Sequence, residues 1–435
     1  MPLPINPDPG FVIQDLPPVS ASIVRSIPRS LSLMRTWMPS CGAFGTVGAL
    51  QTTVSVQWGL EAGFDMVRLI YSNDTATPYT VMRAAVSPSS AIGDGHSPVN
   101  AAGANDFTMF STVYFNNAGL DVSPQDQTTW GSGTTTLPVP ANPGTASQPI
   151  RRFSDWTPML SLDRTDGGTN PLLMSRTLTD ATGTYRYALA ANGTWAPVAN
   201  GRTIMAYQKT SVDSVTVPAL LAAPGQSGVR APDGIQYISR VPGFSVLGVG
   251  DSLTSGGGSS ATNNSWGWTA SAALSTPARP ITFWNEGWVG QVTSDFFPNG
   301  YVAFKACKPD VVTIAVWSPN DGLTQAAADA GWSRAMAFCD YVMRQGAVPV
   351  LMGPCPWQLI TTVPQDAARL STRTRMLQAQ AYGVNVLDWE PVLGTGASPN
   401  RIQPALLNVN HPNDAGNALM DSAVFRPVLA NILRA

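Results

Sequence analysis

Five short apolar runs separated by helix-compatible segments constrain the C-terminal half of this chain more than any other feature. They fall at 244–250, 281–285, 311–317, 347–353 and 384–388. Runs of that length, apolar on successive residues, suit strands covered on both faces. Helix-compatible segments lie between several of them: Thr269 to Leu274, Gln325 to Arg344 and Asp366 to Tyr382. A last helix is expected from near Asn413 toward Leu433. Strand–helix alternation of this kind predicts a parallel sheet with helices on both faces. Five strands between 241 and 435 fit a flavodoxin-like three-layer α/β/α domain.

The N-terminal half has a different texture. Residues 1–30 carry Pro2, Pro4, Pro7, Pro9, Pro17, Pro18 and Pro28, a density that blocks helix and predicts an extended arm. From 31 to 215 the pattern is β. Thr52 to Trp58 alternates with period two, and Met66 to Tyr71 and Phe107 to Phe115 are further strand candidates. Turn signals at Ser72-Asn73-Asp74, Asn116-Asn117-Ala118-Gly119 and Asp166-Gly167-Gly168 separate them. Many short strands without helical periodicity predict an all-β sandwich of jelly-roll type. Residues 216–240, with Pro218, Pro224-Gly225 and Pro232-Asp233-Gly234, read as a linker to the α/β domain at 241–435.

Only 12% of the 435 residues are charged, and the formal net charge is −2. That is about half the usual charged share, and it gives no electrostatic reason to bind nucleic acid or an anionic membrane. No run of apolar residues reaches membrane-span length, and the first thirty residues lack the basic start and apolar core of a signal peptide. Cys41, Cys307, Cys339 and Cys355 show no C-x-x-C spacing. A Cys307–Cys339 pair and buried free thiols both remain open. With two isolated histidines, no zinc pattern is present. No P-loop occurs, and Gly256-Gly257-Gly258 lacks dinucleotide-binding spacing. No cofactor is expected.

Chemistry concentrates at the ends of the apolar runs. Phe244 to Val249 ends in Gly250-Asp251-Ser252-Leu253, a small-residue turn that lifts a serine hydroxyl out of the sheet edge where α/β ligands bind. Asn285-Glu286-Gly287-Trp288-Val289-Gly290, Ser318-Pro319-Asn320-Asp321 and Asn408-Val409-Asn410-His411 follow in that order. Of the two histidines, His411 sits inside a block. His96 sits in Gly93-Asp94-Gly95-His96-Ser97-Pro98, where a surface role is expected.

These four segments, in this order and with these gaps, resemble the SGNH (GDSL-type) hydrolases, over about residues 240–435. The resemblance implies a serine esterase working through an acyl-enzyme, with Ser252 as nucleophile and His411 as base. Gly290 (Gly287 as fallback) would supply an oxyanion-hole amide, and Asn320 an oxyanion-hole side chain. The residue types fit that chemistry. A serine hydroxyl needs a base, histidine titrates near neutrality, and preorganised donors stabilise the oxyanion. Unperturbed, His411 would bring activity up with pH near 6–7.

Two positions depart from the family pattern. Ser318 stands where the third block has glycine, and Asn408 where the last block has the aspartate that orients the histidine. Asn408 or a backbone carbonyl, a displaced carboxylate (Asp388 or Asp414), or a weak or inactive site are the alternatives the sequence leaves open. Trp266, Trp268, Trp284, Trp288, Trp317 and Trp357 cluster near strand ends. Most are expected in the core, with Trp288, Trp317 and Trp357 the candidates to line a substrate pocket. The expected substrate is a small-molecule or polysaccharide ester, short-acyl, such as acetyl groups on carbohydrate. A non-catalytic glycan-binding protein and an acyltransferase using the same residues are the rivals. The oligomeric state is not legible.

Overall fold

The computed structural model describes residues 30–34, 44–46, 52–73, 76–94, 97–142, 150–180, 184–186, 204–210, 213, 215–216, 232, 234–260 and 264–434. The proline-rich arm, His96, Cys41 and most of the expected linker lie outside them. The described part divides into two compact units. One takes its residues from 26–244 and 275–282, the other from 245–274 and 283–435.

The first unit is built of antiparallel sheets. One sheet orders its strands Ser30–Met34, Gly234–Ser239, Phe64–Asn73 and Ile150–Phe153, with Thr157–Pro158 also on Phe64–Asn73. A second orders Ile204–Thr210, Thr52–Gly59, Leu172–Thr179, Tyr79–Ser89 and Ser111–Thr112, with Leu137–Val139 also on Tyr79–Ser89. This fits the sandwich expectation. Residues 234–239, within the stretch read as linker, form a strand whose Ile235 and Tyr237 are fully buried. The strand expected at 107–115 is a correction. Asp106 caps a short 3-10 turn at Phe107–Met109 through the Thr108 N–H, which leaves only Ser111–Thr112 to pair.

The second unit is the doubly wound domain. Its strands are β1 (Phe244–Asp251), β2 (Ile281–Trp288), β3 (Val311–Ala315), β4 (Val348–Met352) and β5 (Asn385–Leu387), in spatial order β2-β1-β3-β4-β5. β1 pairs parallel with β3, β3 with β4, and β4 with β5. The helices are α1 (Ser252–Ser255), α2 (Trp266–Leu274), α3 (Thr293–Cys307), α4 (Gln325–Arg344), α5 (Val363–Ala381), α6 (Glu390–Leu393), α7 (Asp414–Leu419) and α8 (Arg426–Ile432). A π-helical stretch, Met420–Phe425, joins the last two. Val246, Leu247, Val249, Val312, Ile314, Val350, Leu351 and Leu387 are fully buried, as strands sandwiched between helix layers require. Helix α3 was not anticipated, because Pro298 and Gly300 inside it break the helical signal. The strand order reverses beside β1. In such sheets the crevice at that reversal, outside the carboxyl ends of the strands, is where ligands bind.

Candidate active site

Ser252 sits where β1 stops. Asp251 ends the strand in an extended conformation and caps the next turn, its Oδ1 accepting from the Leu253 N–H at 2.9 Å. The turn is one helical turn long, because Gly256 takes up the left-handed conformation at φ +84°. Ser252 is therefore fixed at the start of a short, fully buried helix, with 6% of its own surface exposed. Trp266 packs under this turn and donates from Nε1 to the Leu253 carbonyl at 2.9 Å.

His411 reaches Ser252 across 159 positions of sequence, with Nε2 2.7 Å from the hydroxyl Oγ. With Nδ1 carrying the ring proton, Nε2 is the acceptor and the Ser252 hydroxyl donates. Burial lowers the pKa of His411 below its ordinary value, which favours the neutral ring a base requires. The ring stands at the end of a two-residue hairpin in which Asn408 pairs with His411.

The second and third blocks are tied together. Asn320 Nδ2 donates to the Gln291 carbonyl at 3.0 Å, so its side chain is held at the loop that carries Gly290. Nδ2 has a second N–H to offer. Ser318 caps the 3-10 turn Pro319–Asp321, and its hydroxyl donates to Asp251 Oδ2 at 2.5 Å. A glycine there would make neither bond. Asp321 accepts from the Thr293 N–H at 3.0 Å and from its hydroxyl at 2.7 Å, which clamps the third block to the start of α3. Gly287, the fallback oxyanion donor, is occupied otherwise. Its amide donates to Asn285 Oδ1 at 2.8 Å, and a Cβ there would fall 2.2 Å from the Ser255 nitrogen. That glycine lets β2 approach α1. Gly290, by contrast, is exposed at φ +75° with open space around it.

The tryptophans need correction as a substrate platform. Trp288, Trp317 and Trp357 are only 5%, 3% and 3% exposed, so none presents an open indole face for a sugar to stack on. Trp317 packs with Ala328 and Ala368. Trp288 and Trp284 both donate at 2.9 Å to the buried carboxylate of Glu286. The alternation Trp284-x-Glu286-x-Trp288 along one strand face was the signal for that arrangement. Trp357 does meet the site, standing perpendicular to the His411 ring with centroids 5.1 Å apart.

Residues 249–419 match the family described as GDSL-like Lipase/Acylhydrolase. This segment is a GDSL-like lipase/acylhydrolase domain. No curated protein matches the chain. Among solved structures, a psychrotrophic esterase from Pseudoalteromonas sp. is similar at 15% identity, covering 44% of this chain and 97% of that one, with a TM-score of 0.33. A GDSL-like lipase from Bacteroides thetaiotaomicron VPI-5482 is similar at 15% identity, 44% and 88% coverage, and a TM-score of 0.32. A family two carbohydrate esterase from Cellvibrio japonicus is similar at 12% identity, 94% and 96% coverage, and a TM-score of 0.34. All three scores are low, and the chemistry of the GDSL-like domain rests on its own geometry. Among the described residues no group of His, Cys, Asp and Glu could hold a metal ion, and no helix is long and apolar enough to cross a membrane.

Proposed function

We propose that the GDSL-like domain hydrolyses carboxylic esters through an acyl-enzyme on Ser252. The observation that carries this is the 2.7 Å contact between Ser252 Oγ and His411 Nε2. As Oγ attacks the ester carbonyl, its proton passes to Nε2. The oxyanion is held by the Ser252 and Gly290 amides and by Asn320 Nδ2. His411 then gives that proton to the leaving alkoxide, and water repeats the sequence in reverse to free the acid. The buried nucleophile and the indole beside the base favour a small acyl group, with acetyl esters of carbohydrate as the proposed substrate class.

The test is turnover of a chromogenic acetate ester by the full chain. Ser252→Ala is expected to lower kcat by several orders of magnitude, on the order of 10⁶ in a well-studied serine hydrolase. kcat/KM should rise with pH as His411 loses its proton, through a pKa below the ordinary histidine value, and then level off. Turnover that survives in Ser252→Ala overturns the assignment. A series of acetyl, butyryl and octanoyl esters beside acetylated polysaccharides reads the acyl preference, and preference for the longest chain refutes the small-acyl reading.

A further inference from the structure

His411 has no carboxylate to orient it among the described residues. The Asn408 amide is turned away and donates from Nδ2 to the Gly258 carbonyl at 2.8 Å. Asp414 accepts from the Ser260 backbone N–H at 2.8 Å and from its hydroxyl. Asp388 is taken by Arg373, at 2.8 and 2.6 Å, and by the Glu390 N–H. Both displaced carboxylates considered from the sequence are thus committed elsewhere.

The imidazole is instead packed on its neighbours. A Cβ at Gly257 would lie 2.8 Å from His411 Cδ2 and 3.2 Å from Nε2, and also 2.8 Å from the Ser252 carbonyl oxygen. A Cβ at Gly258 would lie 2.7 Å from His411 Cβ and 2.5 Å from the Pro412 carbonyl oxygen. Such contacts exclude any side chain, so the bare Gly257-Gly258 backbone lies directly against the histidine. Trp357 stands against the same ring at 90°.

We propose that this packing, and not a carboxylate, orients His411. Gly257, Gly258 and Trp357 form a clamp on the imidazole, and Asn408 locks it by tying the hairpin to the Gly258 carbonyl. Asn408 and Trp357 are positioning residues for a Ser252–His411 dyad. The proposal rests on the esterase reading above. It makes one expectation that the family pattern reverses. An aspartate at 408 would restore the family's residue, and a family-type triad would then gain rate. In this geometry it removes the N–H that holds Gly258 and sets a carboxylate against a carbonyl oxygen.

The experiment measures kcat, KM and His411 titration by NMR in Asn408→Asp, Trp357→Leu and Trp357→Phe. His411 and His96 are the chain's two histidines, so His96→Gln assigns the signals. Asn408→Asp is expected to lower kcat about tenfold with KM nearly unchanged, on the scale of a lost positioning contact. Trp357→Leu should lower kcat by a similar factor, and Trp357→Phe should recover most of it by keeping an aromatic ring against the imidazole. The His411 pKa should rise by well under a unit in Asn408→Asp, from the added charge alone, whereas a carboxylate docked on Nδ1 would raise it by about a unit or more. A kcat that is unchanged or higher in Asn408→Asp, or a His411 pKa raised by about a unit or more, overturns the clamp. The titration reads the ring's surroundings whether or not Ser252 is the nucleophile. Surviving turnover in Ser252→Ala would therefore remove the esterase reading without deciding the clamp.

Discussion

At the scale of single residues, the sequence singled out Ser252 and His411, which stand 2.7 Å apart in the structure, but not what surrounds them. Asp251 is the clearest case. Its carboxyl group is buried beneath the site, and burial pushes its pKa up to about 6, against the hydrogen bonds from Ser318 and Leu253 that favour the charged form. In the unfolded chain it ionises at the ordinary value of 3.8. Because the folded pKa is the higher one, the fold is favoured below the unfolded pKa, and that advantage disappears as pH rises from about 4 to about 6. The full span is about 3 kcal/mol. Asp251→Asn abolishes the penalty while its amide oxygen still caps Leu253. The melting temperature of the variant should gain on the parent's progressively between pH 4 and 6 and hold its lead above. A difference that does not change with pH over that interval would contradict the burial argument. The Ser318–Asp251 bond was not legible, although the serine was visibly out of pattern. Its partner is 67 positions away, and only the side-by-side placement of β1 and β3 brings the two together.

Secondary elements were read with uneven success, for physical reasons. Helix α4 was found with its observed ends, since Thr324 caps it and its apolar positions recur at helical spacing. The strand Leu172–Thr179 was missed because it buries Ser175, Arg176 and Thr177 among its leucines and so shows no alternation. Its Arg176 lies over the rings of Phe107 and Phe110, a contact no local pattern announces. Helix α5 carries a similar hidden device. Arg369, fully buried, donates to Asp366 at 2.8 Å and to both oxygens of Glu390. Asp366 in turn accepts from the Asn400 N–H at 2.9 Å, and Asn400 Oδ1 accepts from Gly396 at 2.9 Å. Arg401 then donates to the Ile360 carbonyl at 2.9 Å, which ties this loop to the segment bearing Trp357. Arg369→Met should strand two carboxylates and cost roughly 3–5 kcal/mol in denaturant unfolding. A loss below about 1 kcal/mol would show that the network is dispensable.

On the scale of the whole molecule, the sequence changes from β texture to strand–helix alternation, and the described residues divide into two compact units. The boundary blurred at 234–239, because proline and glycine upstream hid a strand that belongs with the sheet of the first unit. The cysteines, undecided from spacing, are settled for two of four. Cys339 and Cys355 are free and buried, and Cys307 is buried. Burial pushes the Cys339 thiol up to about 12 and raises Cys355 well above its ordinary value, so neither offers a thiolate. With four cysteines in the chain and Cys307, Cys339 and Cys355 buried, a thiol reagent should modify no more than one per native molecule. Reductant should leave the melting temperature unchanged. A Cys307–Cys339 disulfide in the purified protein would refute this.

The hairpin that carries His411 is anchored immediately downstream. Asn413 bonds to Leu406 through its N–H at 2.8 Å, to Ala405 through Nδ2 at 3.0 Å, and to Gly416 through Oδ1 at 3.0 Å. Asn417 holds the Pro412 carbonyl at 3.0 Å. An imidazole on so short and so firmly pinned a loop has little room to swing. On the proposed esterase reading, the entropic cost of bringing His411 and Ser252 into register is therefore met while the chain folds, and an arriving ester would encounter a finished pair rather than one it must assemble.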